Sequence, residues 1–192
     1  MRADPVRAIK ALSEACARDG HDSLSYKIFP AHLKRDALEP FMAREGTMFV
    51  VVKRLLIDCY ISSRKAMALQ TWTGANTTGQ KITLDFADYD LWFQQRRDWY
   101  DWIDGSLSKL DNPHCILTYE ADINCEASEH LAVALDALAG MGLDKTVSGQ
   151  KMTSNHTKQD KAANYHQKVS NWREFCAEAR TAGKIETLFS YG

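Results

Sequence analysis

The 192-residue sequence predicts an α/β protein: a parallel sheet enclosed in three α/β/α layers. Three observations carry that expectation. Short apolar runs, Met48–Val52 and His114–Tyr119, have the length and composition of buried strands. Amphipathic stretches long enough to be helices alternate with them. Polar connections punctuated by glycine or proline separate the two kinds of segment. Neither an internal repeat nor a linker interrupts the pattern, so residues 1–192 read as a single domain with enough length for a sizeable core.

Taken in order, Val6 to Ala17 places Val6, Ile9, Leu12, Ala15 and Cys16 on one helical face after Asp4-Pro5, and Gly20 stops it. Ser23 to Phe29 reads as a strand ended by Pro30. Ala31 to Arg44 reads as a helix that Pro40 must kink or break. The Met48–Val52 strand leads into a helix reaching about Gln70, and TWTGANTTGQ (71–80) is a polar loop. Tyr89 to Leu110 is a long helix with Tyr89, Trp92, Phe93, Tyr100 and Ile103 on its core face. Trp99 lies at the margin of that face and Trp102 beyond it, which makes them acceptor-site candidates, while Arg96 and Arg97 read as solvated. After the His114–Tyr119 strand, Ser128 to Leu138 is a helix closed by Gly140 and Gly142. The C-terminal helix carries Val169, Trp172, Phe175, Cys176 and Ala179 on one face, with Ser170 or Asn171 as its cap.

Composition narrows the function classes. With 45% hydrophobic residues, 26% charged residues and a net charge of −1, the chain has no global basic field for nucleic acid. No apolar run has the length of a membrane span, and the N-terminus lacks a continuous signal core. Cys16, Cys59, Cys115, Cys125 and Cys176 include no CxxC pair, so the expectation is thiols in a reducing cytoplasm. No His/Cys/Asp set has metal-ligand spacing: His114 starts a strand, His130 sits on a helix, and His156 and His166 lie in a polar stretch.

Two segments carry candidate chemistry. Arg54 follows the Met48–Val52 strand, and Ser62 lies eight residues later on the next helix. A planar guanidinium beyond a strand's carboxyl end, with a hydroxyl on the following helix, is a plausible grip for phosphate. Ser148 to Lys168 has no apolar period and concentrates Lys151, Lys158, Lys161 and Lys168; it is either a solvated loop or a basic flap over an anion.

Five segments in order resemble the bacterial sulfotransferases that use 3'-phosphoadenosine-5'-phosphosulfate (PAPS), including the group related to nodulation sulfotransferases. They are SYKIFPAHL at Ser25–Leu33, KRLLIDCYISSRKA at Lys53–Ala66, Trp72, ILTYEAD at Ile116–Asp122, and KQDKAANYHQKVSNWREF at Lys158–Phe175. The resemblance implies a P-loop NTPase-like sulfotransferase fold and sulfuryl transfer from PAPS, without a metal, to a hydroxyl or amine of a glycan, lipid or small molecule. It implies Arg54 and Ser62 on the 3'-phosphate, with Ser63 fitting the interval less well. Lys158, Gln159 and Lys168 are implied as nucleotide contacts from the flap. His32 is a candidate base, with a local hydrogen bond as its alternative role. Lys27 either stabilises the transferring group or points to solvent. Glu120 reads as a group that pairs with or caps nearby backbone.

One departure stands against the resemblance. The family's glycine-bearing phosphosulfate loop has no counterpart here, since no glycine precedes Gly20 and residues 5 to 30 align with the family's segment beyond that loop. The expectation is an N-terminally truncated fold lacking roughly 30 residues, with exposed strand edges that favour a homo-oligomer. A non-catalytic remnant that binds nucleotide or mediates association is the alternative. A nucleotide kinase fits less well, because GxxxxGK[ST] is absent.

Overall fold

The computed structural model describes residues 5–30, 32–72, 76–126, 128–143, 160–162 and 164–192. The chain divides into two compact units, residues 1–49 with 102–113 and residues 50–101 with 114–192.

The first unit contains α1 (Pro5–Arg18) and α2 (Arg35–Met42). Pro40 sits inside α2 two residues before its end, so its missing N–H shortens the helix rather than bending a long one. Leu38, Phe41 and Met42 of α2 are buried, as are Ile103 and Leu107. Asn112 closes the turn after α2 by donating from Nδ2 to the carbonyls of Arg44 and Thr47, at 3.0 Å each. The expected strand Ser23–Phe29 is not formed: these residues join no ladder, and Tyr26 and Phe29 are largely exposed. Alternating residues make a strand only when a neighbour supplies ladder bonds.

The second unit is built on β1 (Phe49–Lys53) from Val50 onward, α3 (Leu56–Leu69), α4 (Phe86–Leu107), β2 (His114–Thr118), α5 (His130–Gly140), α6 (Tyr165–Lys168) and α7 (Trp172–Thr181). Within α4, residues up to Asp101 belong to this unit and those from Trp102 to the first. The helix starts three residues earlier than its aromatic period implies, because Asp85 caps it: Asp88 N–H donates to Asp85 Oδ1 at 2.8 Å.

β1 and β2 form a two-stranded parallel sheet. The described residues are thus a mixture of helix and sheet, with a strand pair in place of the broad sheet that the alternating pattern predicts. Isolated bridges extend the pairing, antiparallel between Leu55 and Tyr191 and parallel between Ile82 and Val169.

The core lies where α3, α4 and α7 converge. Leu56, Ile57, Tyr60 and Ile61 pack with Tyr89, Phe93, Val169, Trp172, Phe175 and Leu188. Phe175 meets Tyr89 edge-on at 5.6 Å and lies stacked with Trp172 at 5.7 Å between ring centroids. Full burial of a side chain such as Phe175 contributes roughly 2–3 kcal/mol. Two buried phenols are satisfied: Tyr60 donates to Asp88 at 2.6 Å and Tyr89 to the Thr187 carbonyl at 2.8 Å.

Two details depart from the sequence reading. Asn171 occupies the cap position of α7, but its side chain bonds across the chain to Leu84, accepting from the N–H at 3.0 Å and donating to the carbonyl at 2.8 Å. Arg96 is not simply solvated, since its guanidinium lies over the Trp92 ring at 5.1 Å and partial burial lowers its pKa. Arg97 is exposed as expected. No described helix is long and apolar enough to cross a membrane.

Candidate functional site

The site begins where β1 ends. Arg54 follows the last strand residue, and Leu55 turns the chain into α3 with φ −51° and ψ 119°. Leu55 has no side-chain hydrogen-bonding group, so the helix start draws its caps from distant segments. Leu55 N–H donates to Glu120 Oε1 at 3.3 Å, and Leu56 N–H donates to the Ser190 carbonyl at 3.0 Å. Glu120 therefore takes the capping role its sequence position implies. It is presented by a π-helical turn, Tyr119–Ile123, whose entry is held by Thr118 N–H donating to Asp122 Oδ2 at 2.6 Å.

Arg54 is gripped from the same turn. Its guanidinium lies over the Tyr119 ring at 4.4 Å, and Nε stands 3.9 Å from Glu120 Oε1. That separation is an ion pair and not a hydrogen bond. Arg54 Nε and Glu120 Oε2 are both buried atoms without a hydrogen-bond partner among the described residues. A buried donor left in that state is energetically unfavourable, by about 1–3 kcal/mol.

Lys168 reaches the same helix from α6. Its ammonium pairs with Asp58 Oδ1 at 3.2 Å and lies 5.5 Å from the Tyr165 ring centroid. Tyr165 stacks on Trp172 at 4.4 Å. Burial, then the Asp58 and Glu120 carboxylates, push the Tyr165 phenol well above its usual pKa, so it stays protonated. Burial likewise raises the Cys59 thiol against the pull of Arg54. Neither group is a nucleophile at neutral pH.

Of the residues singled out in the sequence, Arg54, Ser62 and Lys168 belong to the second unit. Ser62 is exposed on α3, one turn beyond Asp58, and Ser63 is half-buried. Lys158 and Gln159 lie outside the described residues, as do Lys151 and His156. Lys27 and His32 belong to the first unit. Lys27 is exposed, with Nζ 5.6 Å from the Phe29 ring centroid. His32 is exposed and closes a turn: Nδ1 accepts the Phe29 N–H at 3.3 Å, and the two rings meet edge-on at 5.1 Å. A neutral imidazole with Nδ1 accepting carries its proton on Nε2. Trp72 is 64% exposed. Trp99 and Trp102 are half-buried, in different units.

Sequence reasoning missed Asp58, Lys65 and Asp160. Lys65 is only 2% exposed on α3, yet its ammonium bonds Asp160 Oδ2 at 2.6 Å and the Thr77 carbonyl at 3.3 Å. One signal was available: Ile57, Ile61 and Lys65 recur at four-residue intervals, which puts this lysine on the apolar stripe. Asp160 is opposed by burial, but the Lys65 hydrogen bond, a bond from Ala162 N–H and the charges of Lys65 and Lys168 outweigh it and hold its pKa below the usual value. Among the described residues, no group of three His, Cys, Asp or Glu side chains could hold a metal ion.

The arrangement presents a cationic fork at a strand end, a lysine delivered from a remote segment and a nearby serine, balanced by two carboxylates. The chain matches no protein-family model, no curated protein and no solved structure.

Proposed function

We propose that this chain binds PAPS and transfers its sulfuryl group to a hydroxyl or amine of a glycan, lipid or small-molecule acceptor in the cytoplasm. The observation that supports the reading best is Arg54: it is braced at the end of β1 by Tyr119 and Glu120, and its buried Nε has no hydrogen-bond partner among the described residues. A guanidinium fork suits two phosphate oxygens at once. In this reading Arg54 and Ser62 hold the 3'-phosphate, and Lys168 leaves Asp58 to add charge, joined by Lys158 and Gln159. Sulfuryl transfer then needs an in-line acceptor, a base and charge stabilisation on the leaving phosphate. The sequence candidates for the base and the stabilising cation are His32 and Lys27, which belong to the first unit. For His32 to accept a proton, Phe29 N–H must release Nδ1.

Calorimetric titration with 3'-phosphoadenosine-5'-phosphate tests the reading, with AMP as control and Arg54→Ala alongside. Binding that requires the 3'-phosphate and is lost in the variant is the expected result. Equal binding of AMP sinks the PAPS assignment. A second reading, a non-catalytic protein that binds nucleotide or associates through its sheet, is favoured by the strand pair itself. Val50, Val52 and Ile116 are 46%, 41% and 50% exposed, although parallel strands ordinarily have both faces covered. A folded chain that binds no nucleotide and elutes above its monomer mass would establish it.

A further inference from the structure

A cavity lies toward the other end of α3, with no part in the reading above. It encloses about 340 Å³ and is lined by Thr78, Gly79, Lys81, Lys161, Ala162 and Gln167. That volume lies at the small end of ligand pockets, which run from about 300 Å³ upward. Its two walls come from Thr78, Gly79 and Lys81 on one side and from Lys161, Ala162 and Gln167 on the other, and several independent contacts tie them together. Lys65 bonds both walls from beneath, through Thr77 and Asp160. Lys161 N–H donates to Thr78 Oγ1 at 3.1 Å. Ile82 N–H donates to the Lys168 carbonyl at 3.1 Å, and Ser170 N–H donates to the Ile82 carbonyl at 2.9 Å. The cavity is therefore held open by the protein's own contacts.

Its chemistry is one-sided. Among the described residues, two lysines line it and no carboxylate does. The adjacent acid, Asp160, is spent inside the wall, with Oδ2 on Lys65 and Oδ1 on the Ala162 N–H. Thr78 Oγ1 accepts from Lys161, which leaves its O–H as a donor. Two lysine residues and a threonine hydroxyl in the lining, with the Asp160 charge paired to Lys65, suit an oxyanion. Lys65 lies nine residues beyond Leu56, the first residue of α3, about 14 Å along a helix at 1.5 Å per residue. An anion here does not share its contacts with one held at Arg54.

We propose that this cavity binds a tetrahedral oxyanion, either a free phosphate or sulfate ion or the same group as an organic ester, at a site separate from Arg54. The test uses the full chain, isotopically labelled, with the amide resonances of Gly79 and Ala162 followed by NMR. Inorganic phosphate shifts both resonances to saturation. The double variant Lys81→Ala/Lys161→Ala weakens that binding by roughly tenfold or more, the loss expected for charge-assisted contacts, and Lys81→Arg/Lys161→Arg restores it. Arg54→Ala leaves it within about twofold, as for distant sites. Phenyl phosphate separates the two sources: tighter binding than inorganic phosphate marks an ester ligand, and weaker binding marks the free ion. Absence of saturation, or equal affinity in the double alanine variant, would each overturn the proposal. Nucleotide binding at Arg54 is read separately by calorimetry with the Lys81→Ala/Lys161→Ala variant, so the two readings fail independently.

Discussion

The two ends of α3 carry charged pairs of opposite character. At its start, Arg54 and Glu120 stand 3.9 Å apart, with 32% and 25% of their side chains exposed and one polar atom of each buried without a partner among the described residues. Near its end, Lys65 and Asp160 meet at 2.6 Å, and each makes a further bond, to the Thr77 carbonyl and from the Ala162 N–H. A pair whose charged groups bond each other and the adjacent backbone holds segments together and has less to offer a ligand. A pair held apart by a helix cap and an aromatic ring keeps capacity in reserve. The satisfied end is a clamp, and the unsatisfied end is where an anion gains most.

The contrast breaks most visibly at the clamp. Lys65→Met leaves the Asp160 carboxylate uncompensated and opens the contact to Thr77, so we expect a loss of about 3 kcal/mol in denaturant unfolding. A loss below about 1 kcal/mol would make the clamp no stronger than a surface pair. Arg54→Ala has the opposite profile. Its effect on stability stays within about 1 kcal/mol, while affinity for 3'-phosphoadenosine-5'-phosphate falls roughly tenfold to a hundredfold, as measured by calorimetry.

The Lys65–Asp160 pair also sets a pH signature. Its bonds hold the Asp160 pKa below the usual carboxylate value, so its stabilisation is present above the unfolded value, about 3.9, and is lost as pH falls through the folded one. The stability gap between the protein and Asp160→Asn is therefore widest near neutrality and closes in acid. A gap that stays constant from pH 7 down to acid would contradict the assignment. The smallest effect belongs to Glu120→Gln. The amide oxygen keeps the Leu55 cap while the charge facing Arg54 disappears, so nucleotide affinity rises a few-fold, by about 0.5–1 kcal/mol. Weakened binding would mean that the carboxylate serves to orient Arg54 and does not compete with the ligand.

Much of the fold is legible residue by residue. The apolar runs at Met48–Val52 and His114–Tyr119 become β1 and β2, and the periods around Ile57, Phe93 and Phe175 become helices that bury those faces. What escapes is pairing. Ser23–Phe29 has a strand's composition and joins no ladder. Asn171 stands at a cap position, yet it spends its amide on Leu84, 87 residues away. Arg96 finds Trp92 one turn back, a contact that helical spacing permits without requiring.

The candidate site divides in the same way. Arg54 and Ser62 could be singled out because a strand end followed by a helix is a local pattern that one short stretch encodes. The partner of Lys168 on α3, the brace on Arg54 and the filling of the Lys65–Asp160 pair join segments 65 to 110 residues apart. By itself the sequence determined where most of the helices and the β1 and β2 strands lie and which arginine follows the first strand, because backbone preference and hydrophobic period act over a few residues. Only the tertiary structure decided which charges are spent and which are held in reserve. Coulomb attraction and hydrogen bonding depend on distance in space, and nothing in a chain's local chemistry records which distant carboxylate will arrive.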